Sequence, residues 1–327
     1  MQDIQQLQTL FLQYLGEHPF PESPGELYRP ADYIMQLGGK RLRPVMLLMG
    51  CDLFSDKPER ALPAAMAVEV FHNFTLVHDD IMDAAPLRRG KPTVHALYDT
   101  NTAILSGDVM LIHAYQWLMK CHSLTHPRLN MMIGIFNEVA VGVCEGQQMD
   151  VNFERRSDVQ IDEYLRMIEL KTAVLIAGAL QMGAIIGDAR AEDAFHLYEF
   201  GRLLGIAFQL QDDLLDTFGD PLKFGKKVGG DIAQCKKTYL YLRALELCGE
   251  TERAELRALY EGGELEESQR IAAVTERFKN LGIPEETMRL QLQYQNEAFR
   301  HLDAIQKSDE RKEMLRQLAR DLLIREL

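Results

Sequence analysis

Two short aspartate clusters share one internal spacing, and each closes an apolar run. The first is Asp79-Asp80-Ile81-Met82-Asp83, after Phe74-Thr75-Leu76-Val77-His78. The second is Asp212-Asp213-Leu214-Leu215-Asp216, after Gly205-Ile206-Ala207-Phe208-Gln209-Leu210-Gln211. An unpaired buried charge carries a heavy desolvation penalty, so aspartates in apolar company are paired or bound to metal. Six carboxylates in two matched sets suit hard divalent cations, Mg2+ above all. On a helix the first and last acids of each set lie one turn apart on one face. Asp79 with Asp83, and Asp212 with Asp216, then make two-pronged clamps, and two such helices facing each other would leave a gap lined with carboxylates. Mg2+ is commonly held by one or two carboxylates plus phosphate oxygens, so a phosphorylated substrate belongs between the clamps. A solvated helix face accounts well for one such set and poorly for two.

Basic residues gather where an anion site needs them. Gly38-Gly39-Lys40-Arg41-Leu42-Arg43-Pro44 opens a helix, whose N–H groups and dipole also favour anions. Arg88-Arg89-Gly90-Lys91 follows the first cluster, and Lys226-Lys227 and Lys236-Lys237 follow the second, around Gly229-Gly230-Asp231. Arginine offers phosphate a planar fork and lysine a point charge. Each pair alone could be solvated surface; their placement beside both acid clusters favours the anion site. His72 shares roughly the helix face of Asp79 and is either a core histidine or an anion contact.

Helical periodicity supplies the elements that must hold these residues. Residues 3–16 read as an amphipathic helix, with Ile4, Leu7, Leu10, Phe11 and Leu15 near one face. A Pro-rich connection follows at Pro19, Pro21, Pro24 and Pro30, and Gly38-Gly39 stops the next short helix. Pro44 suits the first turn of a helix running to Phe54, and residues 61–83 form a long helix that ends in the first cluster. Pro86, Gly90 and Pro92 mark a loop. Further helices are expected near 101–121, 128–150, 160–187, 191–216 and 234–248, with charge-rich amphipathic helices over 250–327. Hairpin signals with Asn-Gly or Asp-Gly turns are absent. The expectation is one all-α domain over 1–327, a bundle with its site built from facing helices.

Composition narrows the classes. The chain has 327 residues, of which 46 % are apolar, enough for a large core. A net charge of −13 argues against nucleic acid as a partner. Cys51, Cys121, Cys144, Cys235 and Cys248 are odd in number and lack CxxC pairing, which fits reduced thiols in the cytoplasm. The opening Met1-Gln2-Asp3-Ile4-Gln5 lacks the pattern of a secretory signal, so none is expected. No apolar run is expected to reach a membrane span of roughly 20 residues; Val174 to Ile186 is short and interrupted by Gly178, Gln181 and Gly183.

Taken together these motifs resemble the trans-isoprenyl diphosphate synthases, or polyprenyl synthetases. The resemblance runs from Gly38 to Thr238 in the family's order. It takes in the two clusters, His72, Arg88-Arg89-Gly90, Gly107-Asp108, Gly146-Gln147, Asp150, Lys171-Thr172, Phe208-Gln209, Gly230-Asp231 and Lys236-Lys237-Thr238. It implies the isoprenoid synthase fold, a helical bundle around a central cavity, and a homodimer. It implies Mg2+-dependent, head-to-tail joining of isopentenyl diphosphate to an allylic diphosphate (dimethylallyl, geranyl or farnesyl), with release of pyrophosphate. By the same resemblance Asp79, Asp83 and Asp212 ligate Mg2+, with Asp80, Asp213 and Asp216 as close or water-mediated partners. Arg88, Lys171, Lys236 and Lys226 hold the allylic diphosphate, and Thr172 and Gln209 line the reacting end. Lys40, Arg43, His72 and Arg89 form the isopentenyl diphosphate pocket, while Gln147 and Asp150 orient other groups. Ionisation leaves negative charge on pyrophosphate, which metal and cations stabilise, and an allylic cation, which needs a closed apolar cavity. The departing pyrophosphate is the implied proton acceptor, in keeping with the lack of a general base beside the clamps.

In that family, bulk just upstream of the first cluster limits product length. The first cluster here lacks the two-residue insertion of the bacterial farnesyl type. Phe74, with Phe71 and Thr75 nearby, resembles the archaeal-type geranylgeranyl synthases and implies C15 to C20 products, C20 favoured. A helical wheel sets Phe74 about 140° from Asp79, so Phe71 and Phe74 serve equally well as core residues. Two other readings stand beside prenyl transfer. A class I terpene cyclase shares the Asp-Asp-x-x-Asp motif, but a second aspartate cluster and Lys40 with Arg43 argue against it. A non-catalytic subunit of a heteromeric synthase commonly loses one cluster, and both are intact here.

Overall fold

The computed structural model describes residues 3–219, 228–262 and 265–323. Its elements are α1 (Ile4–Glu17), α2 (Gly25–Gln36), α3 (Leu42–Asp52), a 3-10 turn (Pro58–Ala61), α4 (Leu62–Met82), β1 (Leu87–Arg88) and β2 (Lys91–Pro92). They continue with α5 (Val94–Leu97), α6 (Thr100–Met119), α7 (His126–Glu154), α8 (Ile161–Ile168), a π turn (Glu169–Ala173), α9 (Val174–Ile186) and α10 (Ala191–Phe218). The chain then forms α11 (Gly230–Ala233), α12 (Tyr239–Leu247), α13 (Glu250–Glu261), α14 (Glu267–Asn280), α15 (Ile283–Ala304) and α16 (Asp309–Leu323). The all-α expectation holds.

Two compact units divide the chain. The first comprises the residues up to Asn137 together with Gly178–Leu197 and Gln306–Met314. In it α4 packs along α6 and against α3. The run Val45 to Met49 of α3 and the run Ala64 to Val68 of α4 are wholly buried, as helices apolar on every side must be. The second comprises Glu138–Ala177, Tyr198–Ile305 and the segment from Leu315. Its core joins α8, the C-terminal half of α10, and α12 to α15, through Tyr164, Ile206, Leu210, Leu214, Tyr241, Tyr260 and Phe278 among others.

Five local expectations are corrected. The Pro-rich connection ends at Pro24, because α2 runs through Pro30. The buried face of Pro30, Ala31, Ile34 and Met35 outweighs the one lost backbone hydrogen bond. The loop after the first cluster is a miniature antiparallel hairpin, with Leu87 opposite Pro92 and Arg88 opposite Lys91. Its turn uses Arg89 (φ 54°) and Gly90 (φ 74°), left-handed at both positions as a two-residue hairpin requires, but without an Asn-Gly signal. The helix expected over 160–187 is interrupted by the π turn, and the helix expected from residue 234 begins at Tyr239. Finally, Ile161–Ile186 is, by length and composition, long and apolar enough to cross a membrane. Most of it is buried within the fold, as in a core helix.

Candidate active site

The end of α4 gathers three carboxylates at the negative pole of a helix, a place that attracts cations. Asp83 caps the helix. Ala84 turns left-handed (φ 49°), and the N–H groups of Ala84 and Ala85 bond back to the carbonyls of Ile81 (3.2 Å) and Asp80 (2.9 Å). This closure sends the chain into the hairpin and returns Arg88 over the helix end. There its Nε lies 2.8 Å from Asp80 Oδ2 and its Nη2 lies 2.7 Å from Asp80 Oδ1, a bidentate pair. Asp80 is 1 % exposed, whereas Asp79 is half-buried and Asp83 exposed. The middle acid of the triplet turns inward and the outer two stay nearer the surface.

The neighbouring cations meet on the same unit. Arg43 Nη1 lies 3.2 Å from His72 Nε2. Arginine only donates, so Nε2 accepts and the imidazole proton sits on Nδ1. Burial first, then the charges of Arg43, Arg89, Arg88 and Arg41, hold the His72 pKa well below its usual value. His72 is therefore a neutral ring with one N–H to offer. Arg89 donates to the Gly38 carbonyl and lies against Gly39, where a Cβ would sit 2.9 Å from its guanidinium. Gly39 has φ 118°, so the backbone demands glycine. Lys40 is exposed on the same loop. Of the residues expected to set product length, Phe71 and Phe74 are buried side by side with ring centroids 5.5 Å apart. Phe71 also meets Phe136 edge-on at 5.2 Å, and Phe74 meets His78 at 4.9 Å. Thr75 bonds back to the His72 carbonyl at 2.8 Å.

In the second unit the π turn carries Lys171 and Thr172. Single π turns inside α-helices recur at functional sites because they re-aim side chains that regular winding would direct elsewhere. Two glycines let neighbouring helices approach this one. A Cβ at Gly146 of α7 would lie 2.8 Å from backbone atoms of Leu170 and Lys171, and one at Gly205 of α10 would lie 2.6 Å from Ala173 Cα. Lys171 Nζ is held 2.5 Å from Asp150 Oδ2, with both side chains about a quarter exposed. Thr172 donates to Gln209 Oε1 (3.3 Å), and Gln209 Nε2 donates to Asp213 Oδ1 (3.2 Å). The Tyr164 hydroxyl donates to the other oxygen of Asp213.

Asp213 is 3 % exposed, and Asp212 and Asp216 on either side are half-buried. The inward turn of the middle acid thus recurs in both triplets. Burial, followed by the nearby Asp231 charge, pushes the Asp213 carboxyl well above the usual carboxylate range. Asp216 Oδ2 accepts the Asp231 N–H at 2.9 Å, and the Asp216 carbonyl accepts the Gly229 N–H. Lys236 lies beyond α11, its carbonyl accepting from the Tyr260 hydroxyl at 2.7 Å. Tyr260 in turn stacks on Tyr241 with centroids 3.9 Å apart.

Sequence reading did not find Tyr164 or Tyr260, and it gave Asp231 no role. Both tyrosines lie in helices where an aromatic reads as core, and only their hydroxyl partners distinguish them. Lys226 and the final Arg325-Glu326-Leu327 lie outside the described residues. Among the described residues, no three His, Cys, Asp or Glu side chains come together as a metal site. Mg2+ needs only one or two carboxylates when phosphate oxygens and water complete its shell.

Comparison with known proteins agrees with this chemistry. The profile of a family described as polyprenyl synthetase matches residues 24–278. A short chain isoprenyl diphosphate synthase of Methanothermobacter thermautotrophicus is 36 % identical over 304 residues, covering 93 % of this chain and 92 % of its own. A geranylgeranyl diphosphate synthase of Methanosarcina mazei is 38 % identical over 287 residues, covering 82 % and 88 %. A crystal structure of a geranylgeranyl pyrophosphate synthase superimposes with a TM-score of 0.94 at 43 % identity, covering 100 % of both chains.

Proposed function

The chain belongs to the polyprenyl synthetase family and is a prenyltransferase, and we propose that it joins isopentenyl diphosphate to an allylic diphosphate, with Mg2+, to make a C20 product. The observation that carries this reading is the shared design of the two acid triplets. In each, the middle carboxylate is buried and hydrogen-bonded to a neighbouring side chain, and the outer pair lies nearer the surface, where a metal–diphosphate complex would bind. The chain acts as one catalytic domain.

Bound Mg2+ would supply the Lewis acidity that stabilises departing pyrophosphate, held by Asp79, Asp83, Asp212 and Asp216. Asp80 and Asp213 stiffen the two helix ends. Lys171, fixed by Asp150, and Lys236, fixed by Tyr260, pair with the diphosphate. Arg88 spends Nε and Nη2 on Asp80 and presents its remaining edge to phosphate. Lys40, Arg43 and Arg89 hold isopentenyl diphosphate, with His72 as a neutral donor. Thr172 and Gln209 flank the carbon that ionises. Phe74, packed on Phe71, limits the growing chain. The five cysteines, all free thiols, support a cytoplasmic setting.

The test uses purified protein, Mg2+ and isopentenyl diphosphate with C5, C10 or C15 allylic diphosphates, and products are identified by mass spectrometry. A C20 product that disappears with EDTA is expected, and Phe74→Ala should lengthen it. A product that stays the same length in that variant removes Phe74 from the limit. No condensation with any primer would refute prenyl transfer and favour a cyclase or a non-catalytic subunit.

A further inference from the structure

Lys236 sits on a turn between α11 and α12, directly after Cys235, whose backbone is left-handed at φ 54°. A residue with a Cβ disfavours that region, so contacts from outside must hold the turn in shape. Within the turn, the Lys236 N–H donates to the Asp231 carbonyl at 2.9 Å and the Thr238 N–H donates to the Lys236 carbonyl at 3.0 Å. Lys237 Nζ donates to the Cys235 carbonyl at 3.3 Å.

Arg270 of α14 grips this turn from behind. Its Nη2 donates to the Ala233 carbonyl at 2.8 Å, and its Nη1 lies 3.1 Å from both the Tyr260 carbonyl and Cys235 Sγ. The Cys235 thiol donates to the same Tyr260 carbonyl at 3.2 Å, and the Tyr260 hydroxyl reaches the Lys236 carbonyl. One guanidinium therefore touches the end of α11, the left-handed residue and the tyrosine that holds Lys236. Such a three-way grip needs the rigid fork of arginine; a lysine ammonium has no planar fork to spread over the same partners. The next residue, Ile271, fills the space beside Gly229, where a Cβ would lie 2.5 Å from its Cγ2. On its other side α11 is tied to the second aspartate triplet, through the Asp231 N–H and Asp216 Oδ2. In the sequence, Glu267-Ser268-Gln269-Arg270 reads as a solvated helix face, and only these partners distinguish Arg270.

From these contacts we infer that Arg270 is a positioning residue for prenyl transfer, fixing the turn that aims Lys236 at the allylic diphosphate. The inference rests on the role proposed above for Lys236. Arg270 acts through backbone carbonyls and a thiol, and its effect on substrate passes through the Lys236 ammonium.

The test compares steady-state kinetics of Arg270→Met, Lys236→Gln and the double variant. Arg270→Met should raise the KM for the allylic diphosphate by about tenfold, roughly the loss of one charge-assisted contact, and leave the KM for isopentenyl diphosphate unchanged. The double variant should match Lys236→Gln alone, because both changes act through one ammonium. Independent, additive effects overturn the inference. So does an equal rise in both KM values, which would mark a merely structural role. If Lys236→Gln leaves the allylic KM unchanged, the role of Lys236 fails and the inference with it. If Lys236→Gln raises it and Arg270→Met does not, the inference alone fails. Arg270→Lys keeps the charge and a long apolar stem, and hydrogen exchange reads its turn without substrate. Exchange over residues 229–238 should be faster than in the wild type, with residues 79–93 unchanged. Equal exchange over 229–238 overturns the inference.

Discussion

Within each aspartate triplet the residues divide their work by burial. Asp80 is the clearest case, since its side chain is 2 % exposed and Arg88 is its bidentate partner at 23 % exposure. Removing one member of a buried pair strands the other, at a cost of about 3 kcal/mol. Arg88→Met should therefore lower the denaturation midpoint substantially, and a midpoint equal to the wild type would mean Asp80 is effectively solvated. His72 makes a pH prediction. Its folded pKa lies well below the unfolded value near 6.5, because burial and four arginines oppose a proton. Above that unfolded value its contribution to stability is fully present. As pH falls below it, the unfolded chain takes up a proton that the folded one refuses, so stability declines. Denaturant unfolding at pH 7.5 and 5.5 should show a smaller loss in His72→Gln than in the wild type. Equal losses would show that His72 is not the group responsible.

At the scale of elements, the π turn between α8 and α9 is the decisive departure from regular winding. It depends on close approach at Gly146 and Gly205. In Gly146→Ala the new methyl group would press on Leu170 and Lys171, shifting the turn that carries Lys171 and Thr172. Overpacking of this kind costs about 1–3 kcal/mol, and turnover should fall further than stability alone explains. Gly134→Ala on the same helix is the control: its Cβ meets nothing within 4 Å, so helix propensity should raise stability by up to about 1 kcal/mol. Equal behaviour of the two variants would remove the π turn from the catalytic account. Helical periodicity cannot announce such a turn, because Tyr164 to Ile186 keeps an apolar face throughout. The hairpin was equally hidden, since Arg89-Gly90 is not a turn pair that sequence alone flags.

For the whole molecule, the proposed homodimer has a physical basis in α6. Leu105, Ile112 and Met119 recur at heptad spacing and are 58 %, 56 % and 54 % exposed. Exposed apolar side chains that recur along one helix face are candidates for an association site. Ile112→Lys with Leu105→Glu should shift the protein to monomer in sedimentation analysis while leaving its helical content intact. A dimer that survives both changes would put the interface elsewhere. A net charge of −13 makes local recruitment of anionic substrates a real demand, and the cations that answer it are concentrated around the Gly38 loop, the hairpin and the segment bearing Lys236.

The chemistry was legible in the chain before any fold was known. Repeated Asp-Asp-x-x-Asp spacing, flanking Lys and Arg, and helical periodicity are local patterns, and local patterns survive in one dimension. They determined the all-α class and pointed to divalent-cation and diphosphate chemistry, while the roles expected of Lys171, Thr172 and Gln209 rested on the family resemblance. Tertiary structure alone decided which acid of each triplet turns inward, that Arg88 returns across a hairpin to Asp80, and that Tyr164 and Tyr260 brace Asp213 and Lys236. These depend on partners distant in sequence, whose approach is set by packing and by the few glycines that allow backbones to touch.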